Sequence, residues 1–110
     1  MSGRTEALYL KDIRDAVNNI ENYTKEISFK KFAHNQMIID AVVRNFEIIG
    51  EASKNLPKKT KSSRPDIPWE DVAGMRNKII HEYFGVDLEI IWKTIQEDLP
   101  HFKKALKKIK

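Results

Sequence analysis

Cysteine is missing from all 110 residues, which removes a disulfide framework, a thiolate metal site and a cysteine nucleophile together. Long apolar runs are missing too, and nothing approaches the ~20 residues that span a bilayer. The N-terminal MSGRTEALYLKDI is charged within its first residues and lacks the unbroken apolar core of an export signal. A soluble cytoplasmic protein in a reducing compartment, with no membrane partner, is the expectation. Glycine and proline are scarce, four of each, and most fall between periodic segments rather than inside them. That is the punctuation of an all-helical (all-α) chain. The length suits one domain over residues 1–110 with a single core.

The apolar residues Leu10, Ile13, Val17, Ile20, Tyr23 and Ile27 recur at helical spacing and predict a first helix from Thr5 to about Ile27. Ser28 is placed to cap a short turn before Phe32, and the chain passes Asn35 into a second long helix. There Ile38, Ala41, Val42, Phe46, Ile48, Ile49, Ala52 and Leu56 supply an apolar face, opposite Asp40, Arg44, Glu47 and Glu51. Residues 57–68, PKKTKSSRPDIP, have no apolar periodicity and predict a basic, proline-containing loop. Asp66 and Pro68 signal a helix start before WEDVAGMRNKIIHEYF, with Glu70 and Asp71 at the positive end of its dipole and Gly85 placed to end it. Asp87 should cap a fourth helix, and Pro100 should kink or restart it before a Lys-rich C-terminal helix over 101–110. Four to five helices with short connections predict a compact up-and-down bundle, with a homodimer burying a shared face.

The formal charge of +4 is uneven. Lys58, Lys59, Lys61 and Arg64 share the loop, and Lys103, Lys104, Lys107, Lys108 and Lys110 share the tail, with no acid in 101–110. Without these cations the remaining chain is net acidic. Local basic character of this kind is either a footprint for a polyanion or a solvated surface.

The stretch GMRNKIIHEYFGVD at 74–87 crowds Arg76, Asn77, His81 and Tyr83 together. On an ideal helix, at ~100° per residue, Arg76 and Tyr83 point nearly the same way, while His81 stands ~140° from Arg76 and ~160° from Tyr83. Asn77 and His81, four apart, lie one above the other. These groups share one cleft only if the last turn deviates or a second chain closes the site. Ribonuclease chemistry suits the set, because RNA brings its own nucleophile, the ribose 2′-hydroxyl. The protein then needs a base near neutral pKa, a cation on the phosphate and an acid for the leaving 5′-oxygen. Imidazole suits the proton transfers and guanidinium the phosphate. One histidine does not readily serve as base and acid at once, whereas two copies across a symmetric dimer do. The bland reading stands beside this one: a histidine near a helix C-terminus also compensates the dipole, and Tyr83 also suits core packing. His34 and His101 have no partners at metal spacing and are expected to be solvated, and no metal site is expected.

The string RNKIIHEY fits the Arg-x-x-x-x-His-x-Tyr motif of the HEPN superfamily, and the whole chain resembles its HepT-type toxins. VRNFEIIGEA at 43–52, PDIPWEDVAGMRN at 65–77 and HEYFGVDLEIIWKTIQEDLP at 81–100 are similar to that family's habitual strings, in the same order. The likeness runs from about Tyr9 to the C-terminal helix. It implies a HEPN-like helical homodimer whose paired motifs form a composite, metal-independent RNA-cleaving cleft that needs no cofactor. By this resemblance Arg76 would bind the scissile phosphate, His81 would be the general acid/base and Asn77 would orient or contact the phosphate. It further implies a toxin-antitoxin pair. The cognate antitoxin would be a minimal nucleotidyltransferase that uses ATP and Mg²⁺ to transfer AMP to Tyr83, placing bulk and negative charge beside Arg76 and His81.

Arg44 and Glu47 lie three apart and suit an ion pair, with Arg44 as a second phosphate ligand the lesser alternative. Lys58, Lys59, Lys61 and Arg64 would widen the RNA footprint. The rival reading is a non-catalytic docking subunit that presents substrate to a nucleotidyltransferase. It would need Tyr83 but not both Arg76 and His81, so their joint presence favours an endoribonuclease.

Overall fold

Helix α1, Glu6–Thr24, starts where Thr5 turns its hydroxyl inward to accept the Leu8 amide at 3.3 Å. The computed structural model describes residues 5–74, 77 and 87–109, and every regular element among them is helical. Leu10, Ile13, Val17 and Ile20 are buried as their spacing predicts. The helix nevertheless ends short of Ile27. Lys25 is extended and Glu26 takes a left-handed φ of 66°, so the chain turns there. Thr24 occupies the last inward position, its hydroxyl donating to the Ile20 carbonyl at 2.8 Å, while Tyr23 stays 39% exposed.

Helix α2, Phe29–Ala33, is one short turn capped by Ser28, whose Oγ accepts from the Lys31 amide at 3.2 Å. Helix α3, Gln36–Lys54, begins at Asn35, whose side-chain oxygen accepts from the Ile38 amide at 3.1 Å. α1 and α3 pack side by side as the central pair. From α3 the core takes Ile39, Val42, Val43, Phe46, Ile49 and Ala52. Ile38, Ala41 and Ile48, expected on that face, are only half-buried, so the apolar stripe is rotated from the expected one. Buried Asn45 explains the rotation: its amide nitrogen donates to the Ala41 carbonyl at 2.8 Å, and its oxygen accepts from Asn19 of α1 at 3.1 Å.

The segment expected as a loop over 57–68 contains helix α4, Lys58–Ser63. Pro57 precedes it with φ −60°, a value its ring favours. Thr60 is buried and donates to the Glu6 carboxylate, and the Ser63 hydroxyl donates to the Thr60 carbonyl at 2.6 Å. A single buried residue with a distant partner leaves no periodic trace in the sequence. Helix α5, described over residues 69–74, follows Pro68, whose carbonyl accepts from Val72 at 3.0 Å. The Trp69 indole donates to the carbonyls of Lys61 and Arg64 at 3.0 and 3.1 Å and so closes α4 onto α5.

Helix α6, Leu88–Lys93, continues through a π-helical turn, Thr94–Asp98, into helix α7, Leu99–Leu106. Pro100 was expected to kink or restart this helix, yet the helical path runs on. The Leu99 amide donates to the Thr94 carbonyl, five residues back, and Lys93, Thr94, Asp98 and Leu99 all keep right-handed helical dihedrals. The widened turn accommodates the proline ring and its missing N–H without a break. α7 ends at Leu106, short of the helix expected over 101–110. Arg14 of α1 donates to the Leu106 and Ile109 carbonyls at 3.1 and 3.0 Å, satisfying the end of α7, and Lys103 pairs with Glu21 at 2.6 Å. Lys11 and Asp15 also pair, at 2.7 Å, which raises the Lys11 pKa through the hydrogen bond to that carboxylate; the pair lies at the surface and adds little.

Phe46 is fully buried in the α1–α3 seam, so Phe46→Ala should cost about 3–5 kcal/mol in urea unfolding. Tyr23→Ala, at an exposed position, should stay within about 0.5 kcal/mol.

Candidate functional site

The chain enters the motif segment from Gly74 at the described end of α5 and leaves it at Asp87. Arg76, His81 and Tyr83 lie outside the described residues, as does Gly85, the expected helix end. Asn77 is described: it is helical and exposed. Asp87 caps α6 as expected, its Oδ1 accepting from the Ile90 amide at 3.2 Å.

A cleft of about 820 Å³ opens between α5 and α7, with Gly74 among its lining residues. Its apolar lining includes Ile49, Ile67, Val72 and Leu99. His101, Lys104 and Lys108 of the C-terminal segment line it, and so do Glu70 and Asp71 of α5. Trp69 and Phe102 meet edge-on, ring centres 6.4 Å apart, and brace α5 against α7. Glu70 and Asp71 were legible only as dipole-favouring residues; their place in the cleft follows from tertiary packing. The tail lysines Lys104 and Lys108 thus share the cleft with carboxylates, Asp66 and Asp98 among them, and Arg64 pairs with Asp66.

The other predicted cations fall into two groups. Lys58 and Lys59 are exposed, whereas Lys61 and Arg64 are half-buried, with Arg64 pairing to Asp66 at 2.5 Å. Arg44 is exposed beside a shallower hollow of about 560 Å³ that Asp12, Glu47 and Glu51 also line. Arg44 thus shares that hollow with three carboxylates. His34 is exposed, its Nδ1 2.8 Å from the Lys30 carbonyl, and His101 is exposed on the larger cleft. Among the described residues no three His, Asp or Glu side chains are grouped to hold a metal ion. No described helix is long and apolar enough to cross a membrane.

An all-helical domain carrying Arg, His and Tyr in this order belongs with the HEPN-type ribonucleases. The family described as "Ribonuclease HepT-like" matches residues 13–109. A protein of Thermococcus cleftensis named "Probable ribonuclease HepT" is 47% identical over 107 residues, covering 97% of each chain. One from Methanocaldococcus jannaschii, named "Putative RNase MJ1380", is 41% identical over 106 residues, 96% of this chain and 97% of its own. One from Caldanaerobacter subterraneus, named "Putative RNase TTE0752", is 43% identical over 106 residues, 96% of this chain and 95% of its own. No solved structure gives a significant match. The chain belongs to the HepT-like ribonuclease family, a family of endoribonucleases.

Asp87 caps the helix that follows the motif segment. Asp87→Ala should lower stability by about 0.5–2 kcal/mol in thermal or urea unfolding, and Asp87→Asn should restore most of it, because either oxygen can accept the Ile90 amide.

Proposed function

We propose that this chain is the ribonuclease toxin of a toxin-antitoxin pair, cutting RNA without a metal at a composite site built by two copies. The observation that carries the reading is the string Arg76-x-x-x-x-His81-x-Tyr83, complete and inside the residues that match the HepT-like family. In the proposed reaction one His81 takes the proton of a ribose 2′-hydroxyl, and the 2′-oxygen bonds to the adjacent phosphorus. The bond from phosphorus to the 5′-oxygen breaks, and a second proton donor, the partner copy's His81, protonates that oxygen. The products are a 2′,3′-cyclic phosphate and a 5′-hydroxyl. Arg76 holds the phosphate as charge develops and Asn77 adds a neutral donor. Asn77 is exposed, as a donor that meets RNA must be.

The site is switched off by AMP transfer. The Tyr83 hydroxyl attacks the α-phosphorus of ATP, a tyrosyl O–P bond forms and pyrophosphate leaves, with ATP and Mg²⁺ handled by a cognate minimal nucleotidyltransferase antitoxin. The adenylate adds a negative charge and bulk that compete with RNA phosphate for Arg76.

His81→Ala should slow cleavage of total RNA by about 10²–10⁴-fold, and Arg76→Ala by at least about 10²-fold, with folding unchanged by circular dichroism. Cleavage by His81→Ala at the parental rate would remove the proposed acid/base. Incubation with the antitoxin and ATP should raise the intact mass by AMP units in the parent and not in Tyr83→Phe; an equal rise in both would show that another residue is modified.

A further inference from the structure

The densest cation runs in the sequence are partly compensated in the fold. Arg64 pairs with Asp66, Lys103 pairs with Glu21, and Lys104 and Lys108 line a cleft with Glu70 and Asp71. A different basic surface is not compensated in this way. Lys25, Lys30 and Lys31 are all exposed around the α2 turn, and none forms an ion pair among the described residues. The one acid between Lys25 and Asn35 is Glu26.

This turn is held firmly. Phe32 is fully buried, and Phe29 and Phe32 pack on Trp92 of α6 with ring centres 6.1 and 5.2 Å apart. Ser28 caps the turn at one end, and the contact between His34 and the Lys30 carbonyl ties the other. α6 begins at Leu88, just after the Asp87 cap at which the chain leaves the motif segment. Lys30 and Lys31 therefore ride on an element packed against the first helix after the candidate catalytic residues, and Lys25 lies just before it at the end of α1. Exposed Tyr23, at the end of α1 beside Lys25, adds an aromatic face on which a base can stack.

We propose that the end of α1 and the α2 turn form a second phosphate-binding surface for the RNA substrate, with Lys25, Lys30 and Lys31 contacting the backbone away from the scissile bond. The inference rests on the ribonuclease reading and adds residues that position RNA without taking part in the chemistry.

The test is binding of the full-length protein to a 2′-O-methyl RNA oligonucleotide, which has no free 2′-hydroxyl to react, measured by fluorescence anisotropy over a salt series. Lys25→Gln/Lys30→Gln/Lys31→Gln should bind at least about tenfold more weakly at low salt, and the slope of log affinity against log salt should be shallower by about 2, near 0.7 per lost phosphate contact. Lys25→Arg/Lys30→Arg/Lys31→Arg should retain parental binding, and thermal unfolding should show all three proteins folded. On cleavable RNA the glutamine variant should raise KM and leave kcat near the parental value. A folded glutamine variant with parental affinity and slope overturns the surface while the ribonuclease reading stands. A parent that neither binds the oligonucleotide nor cleaves RNA overturns both.

Discussion

The hydrogen bond between Asn19 and Asn45 sets the relation of the two long helices on which everything else hangs. Two apolar faces packed together are non-directional and would tolerate sliding. A buried amide is less permissive, because displacing Asn45 from Asn19 would leave a polar group unsatisfied in the seam at a cost of about 1–3 kcal/mol. With that register fixed, the other flank of α1 presents Arg14 and Glu21 to the C-terminal helix, and Ile49 of α3 lies beneath the cleft. α7 is thus secured to α1 by one arginine on its terminal carbonyls and one ion pair. The frame around the motif segment is an outcome of this packing, with Gly74 at its entry and Asp87 at its exit.

What was legible in the sequence was mostly local. Ser28, Asn35 and Asp87 each cap the helix they precede, since a cap needs only a short polar side chain and the next turn's amides. Features set by distant partners were not legible. In α4, Thr60 reaches Glu6, 54 residues away in the chain; the end of α1 is a local exception, where Glu26 takes a left-handed φ that its residue type does not announce. Pro100 misleads for a related reason: the local rule predicts a break, but a wider turn supported by burial of Ile95 and Leu99 keeps the helix continuous.

Charge shows the same division. The lysine runs at 58–64 and 103–110 are plain in the sequence, but Glu21, which pairs with Lys103, and Glu70 and Asp71, which share a cleft with Lys104 and Lys108, come from other elements. The two lysines of SFKKFAH attract less notice because they are few, yet α2 displays them without acidic partners. Electrostatic footprint depends on what each cation faces, so density along the chain is an imperfect guide.

Arg76, His81 and Tyr83 could be singled out because spacing and residue type carry chemistry independently of the fold. On an ideal helix a spacing of five residues would set two side chains ~140° apart, which is why the proposed cleft draws on two copies and a symmetric pair of histidines. The central claim is that RNA supplies its own nucleophile to these residues. Mass analysis of the fragment ends released from RNA by the purified protein, with EDTA present, tests it most directly. The account predicts 2′,3′-cyclic phosphate, or its 3′-phosphate hydrolysis product, on one fragment and 5′-hydroxyl on the other. Fragments ending in 3′-hydroxyl and 5′-phosphate, or cleavage abolished by EDTA, would contradict it.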